Sequence, residues 1–92
     1  MSNKIKCSHI LVQKQSEALA VLERLKKGES FANVARELSI DKGSGKSGGD
    51  LGFFGRGAMV RPFEEAAFKL EKGQLSEPVR TEFGYHIIKR LE

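Results

Sequence analysis

Only two histidines occur in this 92-residue chain, near its opposite ends. His9 stands in Ile5-Lys6-Cys7-Ser8-His9-Ile10-Leu11-Val12, and His86 in Phe83-Gly84-Tyr85-His86-Ile87-Ile88-Lys89-Arg90-Leu91. An imidazole can donate, accept or carry a proton near neutral pH, so a pair of them is a candidate for acid–base or hydrogen-bond chemistry. Both runs read as strands, in which alternate residues share a face. His9 then lies with Cys7 and Leu11, and His86 with Ile88 and Arg90. If the terminal strands pair at the centre of a small sheet, the two rings meet on one face. A single histidine would more simply cap its strand and bond the backbone. A buried pair among apolar residues points to a site.

Other chemistries fit the residues less well. Cys7 beside His9 suggests a thiolate nucleophile, yet a lone cysteine in an apolar strand reads better as a small buried hydrophobe. Two histidines with Asp41 suggest a metal, but ligands so scattered lack the spacing of a metal site. Gly43-Ser44-Gly45-Lys46-Ser47 resembles the end of a phosphate-binding loop, but the first glycine of that motif would fall at Ile40. A helix precedes it where a strand is needed. Gly43, Gly45 and Gly48 match a dinucleotide fingerprint in the same wrong context. No cofactor and no metal are expected.

The elements that must position the histidines follow from local pattern. Residues 1–4 form a polar tail and 5–12 a strand with apolar residues on both faces, as in a central strand covered on both sides. Ser16 is a candidate N-cap for a helix over 16–27, with Ala18, Val21, Leu22 and Leu25 on one stripe and Gly28 as its stop. Ser30 caps a second helix, with Phe31, Val34, Ala35 and Leu38 inward and an end near Leu38 or Ser39. Residues 41–50 are glycine-rich loop. Leu51 to Phe54 is a short strand and Gly55-Arg56-Gly57 a turn. Pro62 opens a third helix carrying Phe63, Ala66, Ala67 and Leu70, closed by Lys72-Gly73. Ser76-Glu77-Pro78-Val79 reads as a short extended edge segment. Thr81-Glu82-Phe83-Gly84 turns into the last strand, 85–91. Strands then helices in this order give an α+β domain with a mostly antiparallel sheet.

Ninety-two residues allow one domain with one modest core. One cysteine excludes an internal disulfide and suits a reducing compartment. No apolar run is long enough for a membrane span, and no room for a signal peptide precedes the first strand. A cytoplasmic monomer is expected. The net charge is +4. Lys4, Lys6, Lys26, Lys27, Lys42, Lys46, Lys89 and Arg90 are the cations that could meet an anionic membrane surface or nucleic acid weakly. Lys6 and Lys89 should stand on the strand face opposite the histidines.

Four segments together resemble the parvulin family of peptidyl-prolyl cis/trans isomerases: Cys7-Ser8-His9-Ile10-Leu11-Val12, Gly48-Gly49-Asp50-Leu51-Gly52, Gly55-Arg56-Gly57-Ala58-Met59-Val60-Arg61-Pro62-Phe63-Glu64 and Phe83-Gly84-Tyr85-His86-Ile87-Ile88. Their order and spacing match over residues 5–92. The resemblance implies a four-stranded sheet surrounded by about four helices. It also implies non-covalent isomerisation of X-Pro bonds in proline-containing polypeptides, assisting protein folding without a cofactor. His9 and His86 match the paired central histidines, and Asp41 a position held by aspartate or cysteine. Leu51, Met59 and Phe63 match the apolar pocket for the proline ring. Thr81 matches a hydroxyl bonded to the histidines, and Phe83 lies at the pocket rim. The phosphate-specific branch carries a longer arginine-bearing loop after the first strand. Here only Gln13-Lys14-Gln15 stands there, so no strict phosphate requirement is expected. The alternative is a chaperone-like module that holds proline-containing segments without isomerising them.

Overall fold

The computed structural model describes residues 3–92; Met1 and Ser2 of the expected polar tail lie outside the described residues. In chain order the elements are β1 (Ile5–Val12), α1 (Gln15–Lys26), α2 (Phe31–Leu38), α3 (Lys42–Gly45), β2 (Asp50–Phe54), α4 (Arg61–Lys69), β3 (Val79–Thr81) and β4 (Gly84–Arg90). The four strands make one antiparallel sheet in the order β2-β1-β4-β3. The expected α+β architecture with terminal strands at its centre is therefore present. Among the described residues no helix is long and apolar enough to cross a membrane.

β1 carries apolar residues on both faces because each face is covered. Ile10, Val12 and Ile87 pack against Ala18, Val21 and Leu22 of α1 and Val34 and Ala35 of α2. On the opposite face Ile5, Cys7 and Ile88 pack against Phe54 and against Phe63 and Ala67 of α4. β1 and β4 pair without interruption from Cys7↔Arg90 to Val12↔Tyr85. That register sets His9 opposite Ile88 and Leu11 opposite His86. The two histidines are thus diagonal neighbours on one face, within reach of each other. Lys6 and Lys89 stand on the other face by the same alternation, with Lys6 Nζ 5.8 Å from the ring centre of Phe53.

Several boundaries differ from the sequence expectation, each for a local reason. α1 starts at Gln15 because Glu17, not Ser16, closes its first turn: the Lys14 amide donates to Glu17 Oε1 at 3.0 Å. The Ser30 cap is as expected, accepting the Asn33 amide at 3.2 Å. Residues 41–50 are not all loop. Asp41 caps the short α3, its carboxylate accepting the Ser44 amide. The edge strand lies at 79–81, not 76–79, because Pro78 has no amide to give to a ladder. Ser76 instead meets β4 twice: its amide donates to the Ile88 carbonyl at 2.8 Å, and its hydroxyl accepts the Ile88 amide at 2.9 Å. Thr81 accordingly sits in a strand, and α4 ends at Lys69, before the expected Lys72-Gly73 stop.

Gly49 shows how tightly the loop is held beside the site. Its carbonyl accepts the His9 amide at 2.9 Å, its φ is +87°, and a Cβ there would land on the His9 carbonyl oxygen. Gly28 also has positive φ, but open space surrounds it. Gly49→Ala should cost more than about 2 kcal/mol, through backbone strain plus collision. Gly28→Ala should cost about 1 kcal/mol, through strain alone. In a domain of this size that is a fall in Tm of about 10 °C or more against about 4–8 °C, read by circular dichroism. Equal losses would show that the contact with β1 is not what constrains Gly49.

Candidate active site

The paired strands bring His9 and His86 into contact. Their Nδ1 atoms are 2.9 Å apart and their rings are inclined by 23°. Both are buried, at 5% and 4% exposure. A polar group so placed is costly unless bonded, and each remaining ring nitrogen has a partner. His9 Nε2 lies 2.7 Å from Asp41 Oδ2 and 3.2 Å from Ser44 Oγ. His86 Nε2 lies 2.7 Å from Thr81 Oγ1. Ser44 Oγ donates to Asp41 Oδ2 at 2.7 Å, and the Phe83 amide donates to Thr81 Oγ1 at 3.1 Å.

The chemistry of the end groups fixes the direction of every proton in the neutral chain. The hydrogen bond from Ser44, and then that from His9, hold the Asp41 carboxyl below its usual range against the opposing effect of burial. Asp41 is therefore a carboxylate, which only accepts, so His9 Nε2 carries a hydrogen. With His9 neutral its Nδ1 is a lone pair, and His86 Nδ1–H must donate to it. His86 Nε2 is then a lone pair that accepts from the Thr81 hydroxyl. Thr81, having given its hydrogen away, accepts from the Phe83 amide. Burial first, then the neighbouring His9, push the His86 ring down to about 4, so it is neutral at pH 7.

In front of this chain opens a cavity of about 470 Å³, lined by His9, Leu11, Asp41, Leu51, Ala58, Met59, Val60, Phe63, Phe83 and His86. That lies within the range of roughly 300–1,000 Å³ seen for small-molecule sites. β1 supplies His9 and Leu11, the start of α3 supplies Asp41, β2 supplies Leu51, and α4 supplies Phe63. Phe63 meets both imidazoles edge-on, with ring centres 5.7 and 5.2 Å away. Phe83, 57% exposed, stands on the rim. Seven of the eight residues singled out from sequence line one cavity; Thr81 is not in its wall and supports His86 instead. Sequence reasoning missed Ser44, whose only signal was its place three residues after a helix-capping aspartate. It also missed the wall residues Ala58 and Val60, which flank Met59. Cys7 is absent from the cavity wall and fully buried, and burial pushes its thiol up to about 11. It is no nucleophile, as the apolar reading of its strand expected.

Residues 9–92 match the Rotamase family, the PPIC-type PPIASE domain. The chain belongs to this family, the parvulins. Its fold and sequence are shared with the parvuline NmPin of Nitrosopumilus maritimus, 66% identical with a TM-score of 0.90, which covers all of this chain and 99% of that one. Pin of the psychrophilic archaeon Cenarcheaum symbiosum is 68% identical with a TM-score of 0.88, covering all of this chain and 95% of that one. Among longer relatives, foldase protein PrsA of Geobacillus kaustophilus is 56% identical over 86 residues, 94% of this chain and 31% of the relative. The chain thus spans about a third of the foldases it matches. It is a peptidyl-prolyl cis/trans isomerase domain of the parvulin type.

The depressed His86 makes this parvulin acid-sensitive in a defined window. The unfolded histidine binds its proton near 6.5 and the folded one only near 4. The stabilisation is complete above about pH 6.5 and is lost as pH falls from there to about 4. The loss amounts to about 3 kcal/mol at about 1.4 kcal/mol per pH unit. Ring resonances of His86 followed by NMR should titrate with a midpoint near 4, and unfolding free energy should fall over the same interval. A midpoint near 6.5 would mean the ring is not desolvated as described.

Proposed function

We propose that the cavity isomerises X-Pro bonds by gripping the proline ring between Leu51, Met59 and Phe63 while the preceding carbonyl turns beside His9 and Asp41. The observation that carries this reading is one apolar cavity with a single polar wall made by the histidine chain. Rotation about an amide faces a barrier of roughly 18–20 kcal/mol from resonance, and no covalent bond need break. A dry apolar wall offers the planar, dipolar amide none of the solvation that water gives it. It therefore favours the twisted form in relative terms, and each tenfold in rate needs about 1.4 kcal/mol of that preference. Met59 and Leu51 are partly buried pocket walls, available to a ring that enters.

In this reading the histidines are architectural. The two ring hydrogens are spent on Asp41 and on His9, and the Thr81 hydroxyl fills the last lone pair, which leaves no donor for the substrate. Asp41 holds His9 in the Nε2–H tautomer and so sets the direction of the chain. A carboxylate beside the turning carbonyl also opposes negative charge on its oxygen, which argues against nucleophilic attack. In this reading a single domain suffices, because the cavity wall is complete within it. Its clients are proline-containing polypeptides, and within a longer foldase it would act on proteins during folding. Lys14 is the single cation in the β1–α1 connection, which supports action without a phosphate on the client. The non-catalytic holding module is not favoured, because the family is one of isomerases.

The lysine-bearing back face supports an additional, weaker role at anionic surfaces, favoured by Lys6 held over the 59%-exposed Phe53. Such binding should fall steeply with added salt, whereas isomerisation should not. Vesicle co-sedimentation at two ionic strengths reads the difference.

Exchange spectroscopy on X-Ala-Pro, X-Leu-Pro and X-Lys-Pro peptides tests the main reading: the domain should accelerate exchange at catalytic concentrations. Met59→Ala should lower kcat/KM about tenfold or more with little change in Tm. Phe63 is only 3% exposed and also belongs to the core, so Phe63→Ala should cost about 3–5 kcal/mol of stability besides activity. Phe63→Leu is the cleaner probe. Full activity in both Met59→Ala and Phe63→Leu would remove the proline ring from this cavity.

A further inference from the structure

Residues 55–60 join β2 to α4, and Ala58, Met59 and Val60 among them stand in the cavity wall. This connection has little of its own to hold it. Among the described residues its one internal backbone bond is long, from the Ala58 amide to the Gly55 carbonyl at 3.4 Å. Gly57 sits at φ +89° with open space where a Cβ would stand, so no neighbour packs against that side of it. Met59 cannot fix the wall by itself, since its unbranched side chain turns freely. The hold comes from α4. Glu64 lies in the first turn of that helix, and its side chain is only 16% exposed. Its Oε1 accepts the Gly57 amide at 2.5 Å, and its Oε2 lies 3.6 Å from Arg56 Nη1. One turn further along α4, the Phe68 ring receives the Arg56 guanidinium 4.2 Å from its centre.

Glu64 does not cap its own helix. α4 begins after Val60 without a side-chain cap, and Pro62 stands in its first turn. A carboxylate there suits the positive end of the helix dipole, yet its bonds go to the connection ahead of the helix. The Arg56 side chain is 62% exposed, and a pair so open to water contributes little. A backbone amide bonded to a charged acceptor is the stronger tie. We propose that Glu64 is a positioning residue for isomerisation: through the Gly57 amide it anchors the connection to α4 and so sets Met59 in the wall that grips the proline ring. The inference rests on the isomerase reading of the cavity. It adds a residue that is absent from the cavity wall and from the histidine chain. A wall displaced by about 1 Å can cost up to about a hundredfold in rate, so an anchor two residues from Met59 matters.

Two conservative variants separate reach from charge. Glu64→Gln keeps the length and an oxygen acceptor without the charge, whereas Glu64→Asp keeps the charge but falls one methylene short of Gly57. Glu64→Gln should hold kcat/KM within about twofold of the unaltered domain. Glu64→Asp should lose about fivefold and shift the Met59 methyl resonance, while the ring resonances of His86 stay in place. Its Gly57 amide should exchange with solvent at least about tenfold faster. In a Met59→Ala background the same aspartate substitution should cost less than about twofold further, because it acts through Met59. Glu65→Gln, at the exposed neighbour paired with Arg61, should move none of these readings. Full activity in Glu64→Asp, a loss that persists undiminished in Met59→Ala, or a Glu64→Gln as impaired as Glu64→Asp would each overturn the positioning role alone. So would full activity in Met59→Ala while Phe63→Leu is impaired. Full activity in both of those would overturn the proline cavity, and the role of Glu64 with it.

Discussion

The antiparallel pairing of β1 with β4 is the constraint on which the rest of this domain depends. It joins residues 77 positions apart and brings the two histidines together. Loop-closure cost grows slowly with loop length, about 0.6 kcal/mol per doubling, so the long separation is thermodynamically cheap. Its consequence is topological. Every helix lies between the two central strands in sequence, so the sheet centre and the site close together.

Burying two imidazoles in an apolar face would be unfavourable without partners for all four ring nitrogens. The fold supplies them from both flanks of the central strands. Asp41 and Ser44 arrive from α3 on one side, and Thr81 from β3 on the other. Among the described residues no buried side-chain nitrogen or oxygen lacks a partner. A fully satisfied buried chain of this kind is rigid and admits few arrangements. Its rigidity is what a cavity needs if it is to discriminate a twisted amide from a planar one. Phe63 couples the chain to the core, touching both rings while packing against Phe54. Catalytic shape and stability are therefore not separable at that residue.

The two faces of the sheet divide the work. The α4 face carries the histidines and the proline cavity; the α1–α2 face carries a larger aliphatic cluster. The strand alternation that sends His9 one way sends Ile10 and Val12 the other, so the two faces are register-locked. A one-residue slip of β1 would destroy both.

Much of this was legible in the residues. Period-two alternation in 5–12 set the histidine face, and 3.6-residue stripes located the three longer helices. The four segments that resemble parvulins hold six of the eight residues singled out, and the same resemblance carried over Asp41 and Thr81 from between them. What local pattern could not decide was whatever depends on a partner distant in the chain. The start of α1 hung on Glu17 reaching back to Lys14, and the edge strand shifted to 79–81 because Ser76, ahead of Pro78, was drawn to β4. The Ser44 hydroxyl carries no periodicity at all, and its role exists only because α3 lays it between Asp41 and His9. The sequence by itself determined which residue types face which way, because that follows from bond geometry within a few residues. Only the tertiary structure decided which of them touch, and so the proton order of the histidine chain. Those rest on contacts between segments that local propensity cannot see.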